Sequence, residues 1–340
     1  MILVTGGTGL VGSHLLLELL RKGERIRAIK RSTSNTENVI RTFSYYIDDP
    51  REFFSRIEWV DANMMDYQAI SGAMQGVDYV YHCAALVSLN PSDKKRIMKE
   101  NIEGTANLVN AALEFNIRKF VFVSSIAAIG SSLNAENNTE DMIWRSSRTN
   151  SAYSESKFKS EMEVWRGISE GLNAVIINPS IILGPGNWKK GSSSFFWTVW
   201  NGMPYFTLGM TGFVDVRDVV MGMTHLMKSD ISGERFIVSS QNLSFRDIFA
   251  MIAKSLGKKA PHRYASPRFS SVFQKLDALR SRLLFQPPKL PRESLHAAHT
   301  TSRFSNQKIR KSLGIEFIPV ESSVNYFGSL FLKDVSSHSI

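Results

Sequence analysis

The chain has 340 residues, of which 43% are hydrophobic, so it is long enough for one large α/β unit or two domains with a substantial core. Its single cysteine, Cys83, excludes an intrachain disulfide framework and a multi-cysteine metal site, and no histidine spacing indicates zinc, so we expect no metal. No apolar run reaches the roughly 18 residues of a spanning helix, and the N-terminus enters a strand without a charged leader. We therefore expect a cytoplasmic protein.

The net charge of +10 is concentrated in residues 254–311, which hold 14 Lys and Arg against Asp277 and Glu293. This segment alone carries +12, so the rest of the chain is slightly acidic at −2. Such a segment attracts phosphorylated ligands, anionic lipid or nucleic acid, and a plain solvated surface is the simpler interpretation. We expect a small-molecule substrate and no nucleic-acid partner.

The first twelve residues predict a strand, a glycine turn and the start of a helix. The segment 1–5 is short and apolar, and the amphipathic run 15–20 follows the turn. The tight turn needs Gly6, the approach of backbone N–H groups to a pyrophosphate needs Gly9, and close packing of the helix on the strand needs Gly12. We expect cofactor contacts all along this turn, from Thr5, Gly6, Gly7, Thr8, Gly9, Leu10, Val11 and Gly12.

The sequence favours NADP(H) over a nucleoside triphosphate and over NAD(H). A phosphate-binding loop of the NTPase kind has a lysine after its last glycine, and no lysine follows Gly12 here. The second predicted strand, 26–29, runs into Lys30 and Arg31, whereas NAD-binding units place an acidic residue there for the ribose hydroxyls. Two cations suit a 2′-phosphate, and Arg31 is the stronger candidate because a guanidinium grips phosphate through two hydrogen bonds. Exposed strand-end charges are the alternative.

Strands and helices then alternate, which predicts an α/β fold with a doubly wound parallel sheet of the Rossmann type and ligands at the carboxyl ends of its strands. The predicted strands are 57–60, 77–82 and 120–123, and the clearest helix is 101–113. Asp61 and Ala62 follow the first of these strands, where the aspartate suits the adenine amino group, although turn formation explains it equally well. Ala84 and Ala85 follow the second strand, where small residues let a flat cofactor lie against the backbone.

Three residues with acid–base and polar side chains follow the strand 120–123. Ser124 and Ser125 lie directly after it, and Tyr153 and Lys157 are four positions apart, which puts the last two on one face of a helix. A phenol titrates near about 10, and a neighbouring cation favours the phenolate and lowers its pKa. Tyr153 can then exchange a proton with a carbonyl or alcohol oxygen that Ser125 holds, and Lys157 can also reach the nicotinamide ribose of the cofactor.

With these motifs the chain resembles the extended branch of the short-chain dehydrogenase/reductase superfamily, which combines Thr-Gly-x-x-Gly-x-x-Gly with a Ser/Tyr/Lys centre. The resemblance runs from Met1 to about residue 218. It implies that Ser125 is the catalytic serine, that Asn101 is a fourth active-site residue supporting a water and proton relay, and that Pro179 contacts the cofactor. A helix cap is the alternative role for Asn101. Whether the family's helix-mediated homodimer forms stays open.

Departures from the patterns of particular relatives favour an apolar alcohol or ketone as the substrate. Sugar-nucleotide 4,6-dehydratases carry an Asp-Glu pair at the positions of Ile126 and Ala127, so no dehydration is expected. Sugar-nucleotide epimerases have Arg-Pro-x-Asn-x-Tyr-Gly-Pro where this chain has Asn-Pro-Ser-Ile-Ile-Leu-Gly-Pro at 178–185. That stretch resembles dihydroflavonol reductases and 3-beta-hydroxysteroid dehydrogenases. The aromatic residues at 188–206 suit an apolar pocket or a hydrophobic core.

The later part of the chain predicts a smaller, mostly C-terminal substrate-binding domain. We place the dinucleotide-binding domain at 1–183 with a return at 213–240, the substrate domain at 184–212 and 241–333, and a flexible tail at 334–340. A further helix is expected over 243–256.

Residues 268–285 predict a basic amphipathic helix, with apolar positions at Phe269, Val272, Phe273, Leu276, Leu279 and Leu283. One interpretation is a lid packed on the substrate domain, which is the simpler because an apolar stripe usually belongs to a core. The other is an interfacial helix in peripheral contact with anionic lipid.

Together these patterns predict an NADP(H)-dependent oxidoreductase that interconverts a carbonyl and a secondary alcohol on an apolar small molecule, with Tyr153 as general acid and base. A nucleotide-sugar epimerase is the first alternative, because it uses the same hydride and proton machinery. A non-catalytic NADP-binding sensor or membrane-associated assembly protein is the second, although such a protein has no need of all four residues Asn101, Ser125, Tyr153 and Lys157.

Overall fold

A seven-stranded parallel sheet lies at the centre of the structure, a computed structural model that describes residues 1–88, 90–130, 137–147, 150–284 and 292–337. The strands are β1 (Ile2–Thr5), β2 (Ile26–Lys30), β3 (Glu58–Asp61), β4 (Tyr79–His82), β5 (Lys119–Val123), β6 (Ala174–Pro179), β7 (Ile181–Leu183), β8 (Tyr205–Phe206), β9 (Met210–Asp215), β10 (Glu234–Val238), β11 (Gln241–Ser244) and β12 (Arg263–Tyr264). The large sheet has the order β10-β6-β5-β4-β1-β2-β3. The order reverses between β1 and β4, which is where doubly wound sheets bind ligands. The predicted Rossmann sheet is confirmed.

Helices cover both faces of this sheet. The helices of the described residues, not all of which pack on this sheet, are α1 (Leu10–Arg21), α2 (Glu37–Ser44), α3 (Pro50–Ser55), α4 (Tyr67–Met74), α5 (Lys94–Glu114), α6 (Ala152–Ser169), α7 (Ser194–Trp200), α8 (Val216–Lys228), α9 (Phe245–Ser255), α10 (Pro267–Leu284), α11 (Arg292–His299), α12 (Gln307–Leu313) and α13 (Val320–Ser336). Alternate residues of β1 enter different cores: Val4 packs with residues of α1 and α8, and Leu3 with residues of α4 and α5. This period of two explains why the buried strands are apolar on both sides.

A second, smaller group of elements has its own apolar core. It contains the three-stranded sheet β11-β9-β7, the short pair β12-β8 and the C-terminal helices. Trp188 and Phe196 are fully buried in this core, where both rings contact the ring of Phe331 on α13. For these two aromatic residues the core interpretation is therefore correct, and the pocket interpretation is wrong. The exact domain boundaries proposed from the sequence stay a prediction.

Two boundaries that were predicted for the C-terminal part of the chain need correction, and the helix expected over 101–113 begins earlier, at Lys94. The helix expected from residue 243 begins at Phe245, because 241–244 pairs with β9 as β11 and the Ser244 hydroxyl accepts a hydrogen bond from the Asp247 N–H. The flexible tail expected from residue 334 is wrong at 334–336, which continue α13. Asp334 accepts hydrogen bonds from Arg41 and from the Trp188 indole, so this end of the helix is held in place. Residues 338–340 lie outside the described part of the chain.

The amphipathic helix predicted over 268–285 forms as α10, but its described apolar side chains are not packed. Phe269, Val272 and Phe273 are all exposed. The lid packing expected for these three residues is therefore wrong, and the side chains of Leu276, Leu279 and Leu283 lie outside what the structure describes. Among the helices of the described residues, none combines the length and the apolar character required to cross a membrane.

Candidate active site

The turn between β1 and α1 requires glycine at two positions. Gly6 has a φ of 70°, and a Cβ there would lie 2.6 Å from the Ala84 nitrogen. A Cβ on Gly12 would lie 2.2 Å from the Gly6 carbonyl oxygen. Since neither neighbour is a flexible side-chain end, both positions exclude larger residues. The turn, the first turn of α1 and the segment after β4 are thereby held against one another.

The start of α1 fits the pyrophosphate of a dinucleotide. Gly9 is the N-cap and offers no side chain to cap the helix, and the first turn contains no acidic residue. The first N–H groups of a helix have no intrahelical acceptor, and the helix dipole favours an anion at this end. The sequence prediction of a phosphate site therefore agrees with the donors that the fold presents here.

A cleft of about 290 Å³ opens beside this helix start. Of the predicted cofactor contacts, it is lined by Thr5, Gly6, Thr8, Gly9, Lys30, Arg31, Ala62, Ala84 and Ala85, and Asn101 also lines it. The other predicted contacts lie outside its wall, namely Gly7, Leu10, Val11, Gly12, Asp61, Lys157 and Pro179. Sequence reasoning missed further lining residues, including Ser34, Asn63, His82, Leu86, Glu100 and Thr105. Only the fold shows them, because it brings together segments that are far apart in the sequence.

The two cations at the end of β2 both have acidic neighbours. Lys30 Nζ lies 2.5 Å from Asp61 Oδ1, and Arg31 Nη1 lies 3.8 Å from Glu100 Oε2. The Arg31 side chain is about half exposed, and ion pairs of this kind between exposed groups contribute little. Arg31 is therefore available to an anion that enters the cleft. Asp61 forms this ion pair at the end of the neighbouring strand β3.

Buried His82 joins three elements at the carboxyl end of the parallel strands. The Thr105 hydroxyl donates to the Asn101 carbonyl, so its oxygen accepts from His82 Nε2 at 3.0 Å. His82 Nδ1 then accepts from the Thr5 hydroxyl at 2.7 Å, and that oxygen accepts from the Ala84 N–H. Burial lowers the pKa of His82 to about 3, so the ring is neutral, as this chain of bonds requires. The chain fixes β1, β4 and α5 relative to one another.

Ser125, Tyr153 and Lys157 come together at the carboxyl end of β5. Tyr153 lies in the first turn of α6, and the next residue, Ser154, donates its hydroxyl to the Ala127 carbonyl at 2.6 Å, in the turn that follows Ser125. Lys157 is almost fully buried, donates to the Val123 carbonyl at 2.8 Å and lies 4.5 Å from the centre of the Phe122 ring. Burial lowers the pKa of Lys157 to about 8, against an opposing effect of the Glu161 charge.

The pKa of Tyr153 differs from the sequence expectation. Burial raises it above the ordinary value for a phenol, and the Ser125 hydroxyl opposes that rise. The expected lowering by a neighbouring cation is therefore wrong for this structure, because desolvation of the phenolate is the larger effect. In this environment Tyr153 keeps its proton at neutral pH, which suits a proton donor.

Asn101 lies in the interior of α5, so the alternative role of a helix cap is wrong. Its Oδ1 accepts from the Leu86 N–H at 2.7 Å, and its Nδ2 donates to the Leu86 carbonyl and to the Ser156 hydroxyl, both at 3.0 Å. Asn101 thus joins the segment after β4 to the helix that carries Tyr153 and Lys157. The proton relay that the family resemblance implies for it stays a prediction.

A buried carboxylate, Glu161, lies one turn after Lys157 on α6 and was missed in the sequence. It is fully buried and accepts hydrogen bonds from the Ser124 hydroxyl at 2.7 Å, from Asn178 Nδ2 at 2.9 Å and from Arg235 Nη1 at 2.9 Å. A buried ion needs partners of this number and quality to offset the loss of its hydration. The spacing of four from Lys157 is the only signal of it in the sequence.

Glu161 is connected through its partners to Ser125 and to the loop after β5. Asn178 Nδ2 also donates to the Ser125 carbonyl at 3.0 Å. Arg235 also donates to the backbone carbonyls of Glu140 and Met142. The carboxylate thus connects β6, β10 and the loop 137–147 to the backbone of Ser125. It acts as a positioning residue.

Residues 2–239 match the model of the NAD dependent epimerase/dehydratase family. The chain belongs to this family. It is an oxidoreductase of the extended short-chain type, as the Thr-Gly turn and the Ser/Tyr/Lys centre indicate. The cofactor of this family is of the NAD type, which agrees with the cleft at the start of α1.

Named relatives cover almost the whole chain. Sterol demethylase protein B of Methylococcus capsulatus is 28% identical, over 92% of this chain and 92% of its own length. Cinnamoyl-CoA reductase 1 of Petunia hybrida is 26% identical over 94% of this chain and 89% of its own, and a 3-beta-hydroxysteroid dehydrogenase of Mycolicibacterium neoaurum is 22% identical over 93% and 86%. The crystal structure of gox2253 is 28% identical and superposes with a TM-score of 0.80 over 98% of both chains.

The buried Glu161 charge predicts a large stability difference between two similar substitutions on α6. Glu161→Gln leaves Arg235 and Lys157 without their buried counter-charge, and we expect a loss of about 3–5 kcal/mol in the free energy of unfolding. The control Glu163→Gln removes the partner of a surface ion pair with Arg166 and should change stability by about 0.5 kcal/mol or less. Urea denaturation of both variants checks this. Equal losses of unfolding free energy in the two variants would contradict the larger stabilising effect that we assign to the buried Glu161 charge.

Proposed function

We propose that this oxidoreductase transfers hydride between NADP(H) and the carbon of an apolar ketone or secondary alcohol, with Tyr153 as the proton donor and acceptor. The observation that carries the proposal is the placement of Ser125, directly after β5, beside Tyr153 and Lys157 in the first two turns of α6, at the strand ends where the dinucleotide cleft also opens. These groups supply a proton and an oxygen-binding hydroxyl where a carbonyl group is reduced.

Each residue has one role in this proposal. When bound, the nicotinamide supplies or accepts the hydride. Tyr153 gives its proton to the substrate oxygen in reduction and takes it back in oxidation, while the Ser125 hydroxyl holds the same oxygen. Lys157, with a pKa of about 8, is mainly protonated at neutral pH, and its charge favours the phenolate that forms on Tyr153. The Glu161 charge supports that protonated state.

An apolar substrate is supported by what borders the strand ends. Val87, in the segment after β4, and Ile143, in the loop that Arg235 holds, are both largely exposed apolar residues. Ile126 and Ala127 stand where an elimination reaction needs acidic groups. The relatives named for sterols and hydroxysteroids have apolar polycyclic molecules in their names, which supports the same class here.

A preference for NADP(H) is supported by the polar end of the cleft, where Lys30, Arg31 and Ser34 line the wall. A 2′-phosphate can exchange the long contact of Arg31 with Glu100 for charge-assisted hydrogen bonds, which are stronger than neutral ones. The cytoplasmic location and the homodimer stay predictions.

Tyr153→Phe tests the proton transfer. Removing the hydroxyl should lower the rate of carbonyl reduction by about 10²–10⁴, the usual contribution of a general acid, while the Kd for NADPH stays within about twofold. Single-turnover reduction of an aryl or polycyclic ketone, followed by NADPH absorbance, measures the first quantity, and fluorescence titration measures the second. Tyr67→Phe on α4 is the matched control, because it loses a phenol that bonds Glu114 and should keep full turnover. Full turnover in Tyr153→Phe would refute the assigned role.

Arg31→Ala tests the cofactor preference. Losing a charge-assisted hydrogen bond to the 2′-phosphate should raise the Kd for NADPH by about 10- to 100-fold. The Kd for NADH, which we expect to bind more weakly, should stay nearly unchanged. Arg25→Ala, just before the opposite end of β2, makes the same change in net charge and should alter neither value. Fluorescence titrations with the two cofactors give all the values. An equal rise in the Kd values for NADPH and NADH would contradict a contact between Arg31 and the 2′-phosphate.

A further inference from the structure

The described part of α10 turns apolar residues outward and polar residues inward. Phe269 is 44% exposed, Val272 59% and Phe273 50%. Ser270 and Asp277, by contrast, are buried, with Ser270 bonded to His299 Nε2 at 3.0 Å and Asp277 to Arg280 Nε at 3.0 Å. A surface helix normally buries its apolar face. In the part of α10 whose side chains the structure describes, the apolar residues are therefore not buried by the fold.

The exposed apolar residues form one patch, which we define as Tyr205, Phe269, Val272 and Phe273. The Tyr205 and Phe269 ring centres are 5.3 Å apart, and those of Phe269 and Phe273 are 6.4 Å apart. Tyr205 comes from β8, so the patch joins α10 to the β8-β12 pair rather than belonging to one helix. Contiguous exposed aromatic surface of this kind marks an interaction site.

The segment that contains three of the four patch residues carries charges of one sign. Between Asp247 and Asp277 the sequence contains six Lys and Arg and no acidic residue. Lys259 and Arg263, in the segment that leads into α10, and Arg268, in its first turn, are all exposed. Cations beside aromatic residues suit a partner whose surface is negative and whose interior is apolar.

We propose that this patch and its cations dock the protein on an anionic phospholipid bilayer. Aromatic side chains enter the boundary between headgroups and acyl chains, and Lys and Arg bind the anionic headgroups. A second copy of the chain is a poorer partner, because a two-fold interface on this patch would place the same unbalanced cations against each other. The proposal concerns attachment at the surface and is independent of the proposed reaction.

Co-sedimentation of the full-length protein with vesicles tests this proposal. The vesicles are phosphatidylcholine alone or phosphatidylcholine with about 30 mol% phosphatidylglycerol. We expect at least about tenfold tighter binding to the anionic vesicles, weakening as salt rises from about 0.1 to 0.5 M. No binding to anionic vesicles, or equal binding to both kinds, would overturn the proposal.

Two pairs of variants separate the patch from general surface effects. Phe269→Ser with Phe273→Ser should weaken vesicle binding by about tenfold or more, whereas Ile143→Ser, a similarly exposed apolar residue on another loop, should not. The double variant Lys259→Glu with Arg268→Glu should also weaken vesicle binding by about tenfold or more. Its control, Arg310→Glu with Lys311→Glu on α12, changes the net charge equally and should leave vesicle binding nearly intact. Equal losses in variant and control would contradict docking through this patch.

Circular dichroism and NADPH titration establish that each variant is folded, so lost vesicle binding is not mistaken for lost structure. Sedimentation velocity gives the oligomeric state without vesicles. A dimer that dissociates in the Phe269/Phe273 variant, together with no vesicle binding by the wild type, would assign the patch to a second copy and overturn the membrane proposal. Since no readout here is turnover, failure of this proposal leaves the proposed reaction untouched.

Discussion

The contact between Gly12 and the carbonyl of Gly6 is the constraint on which the dinucleotide site depends. Because no Cβ fits between them, α1 begins directly against the turn that follows β1, and its first N–H groups open into the cleft. Gly6 makes a similar approach to Ala84, which brings the segment after β4 to the same place. The neutral His82 ring then holds β4 between Thr5 and Thr105. Polar residues of β1, β4 and α5 thereby meet at the carboxyl end of the parallel strands.

The proposed reaction site depends in turn on one buried charge. Glu161 is fully buried, and its hydrogen bonds to Asn178 and Arg235 connect the strands β6 and β10 to the helix that carries Tyr153. Its charge also raises the pKa of Lys157 against the effect of burial. A single carboxylate thus fixes the position of the serine backbone and supports the protonated lysine.

Local patterns were enough to predict the parts of the site that lie close together in sequence. The glycine turn, the cations after β2 and the Tyr153 to Lys157 spacing each occupy one short segment, so periodicity and turn chemistry identify them. Arg235 is 74 positions from Glu161, and no pattern in the sequence pairs two residues at that distance. The lowering of the Tyr153 pKa was predicted from a nearby cation alone and proved wrong, because the extent of burial is a property of the fold.

The same limit on prediction from sequence patterns applies to the C-terminal part of the chain. Periodicity correctly predicted a helix at α10, but it does not say which face a helix turns inward, and Ser270 and Asp277 rather than Phe269 and Phe273 face the protein. Likewise the polar composition after residue 333 indicated a flexible tail, whereas Asp334 is held by Arg41 and Trp188 from distant segments. Both differences come from tertiary contacts.

Transfer of deuterium from cofactor to product tests the proposed reaction most directly. The wild-type protein would be incubated with NADPH deuterated at nicotinamide C4 and a panel of aryl and polycyclic ketones, and the products analysed by mass spectrometry. We expect one deuterium on the carbinol carbon of the alcohol product and one NADP⁺ formed per alcohol. No transfer to any ketone, with conversion of a UDP-sugar and no net oxidation of the cofactor, would contradict the reductase and identify an epimerase instead.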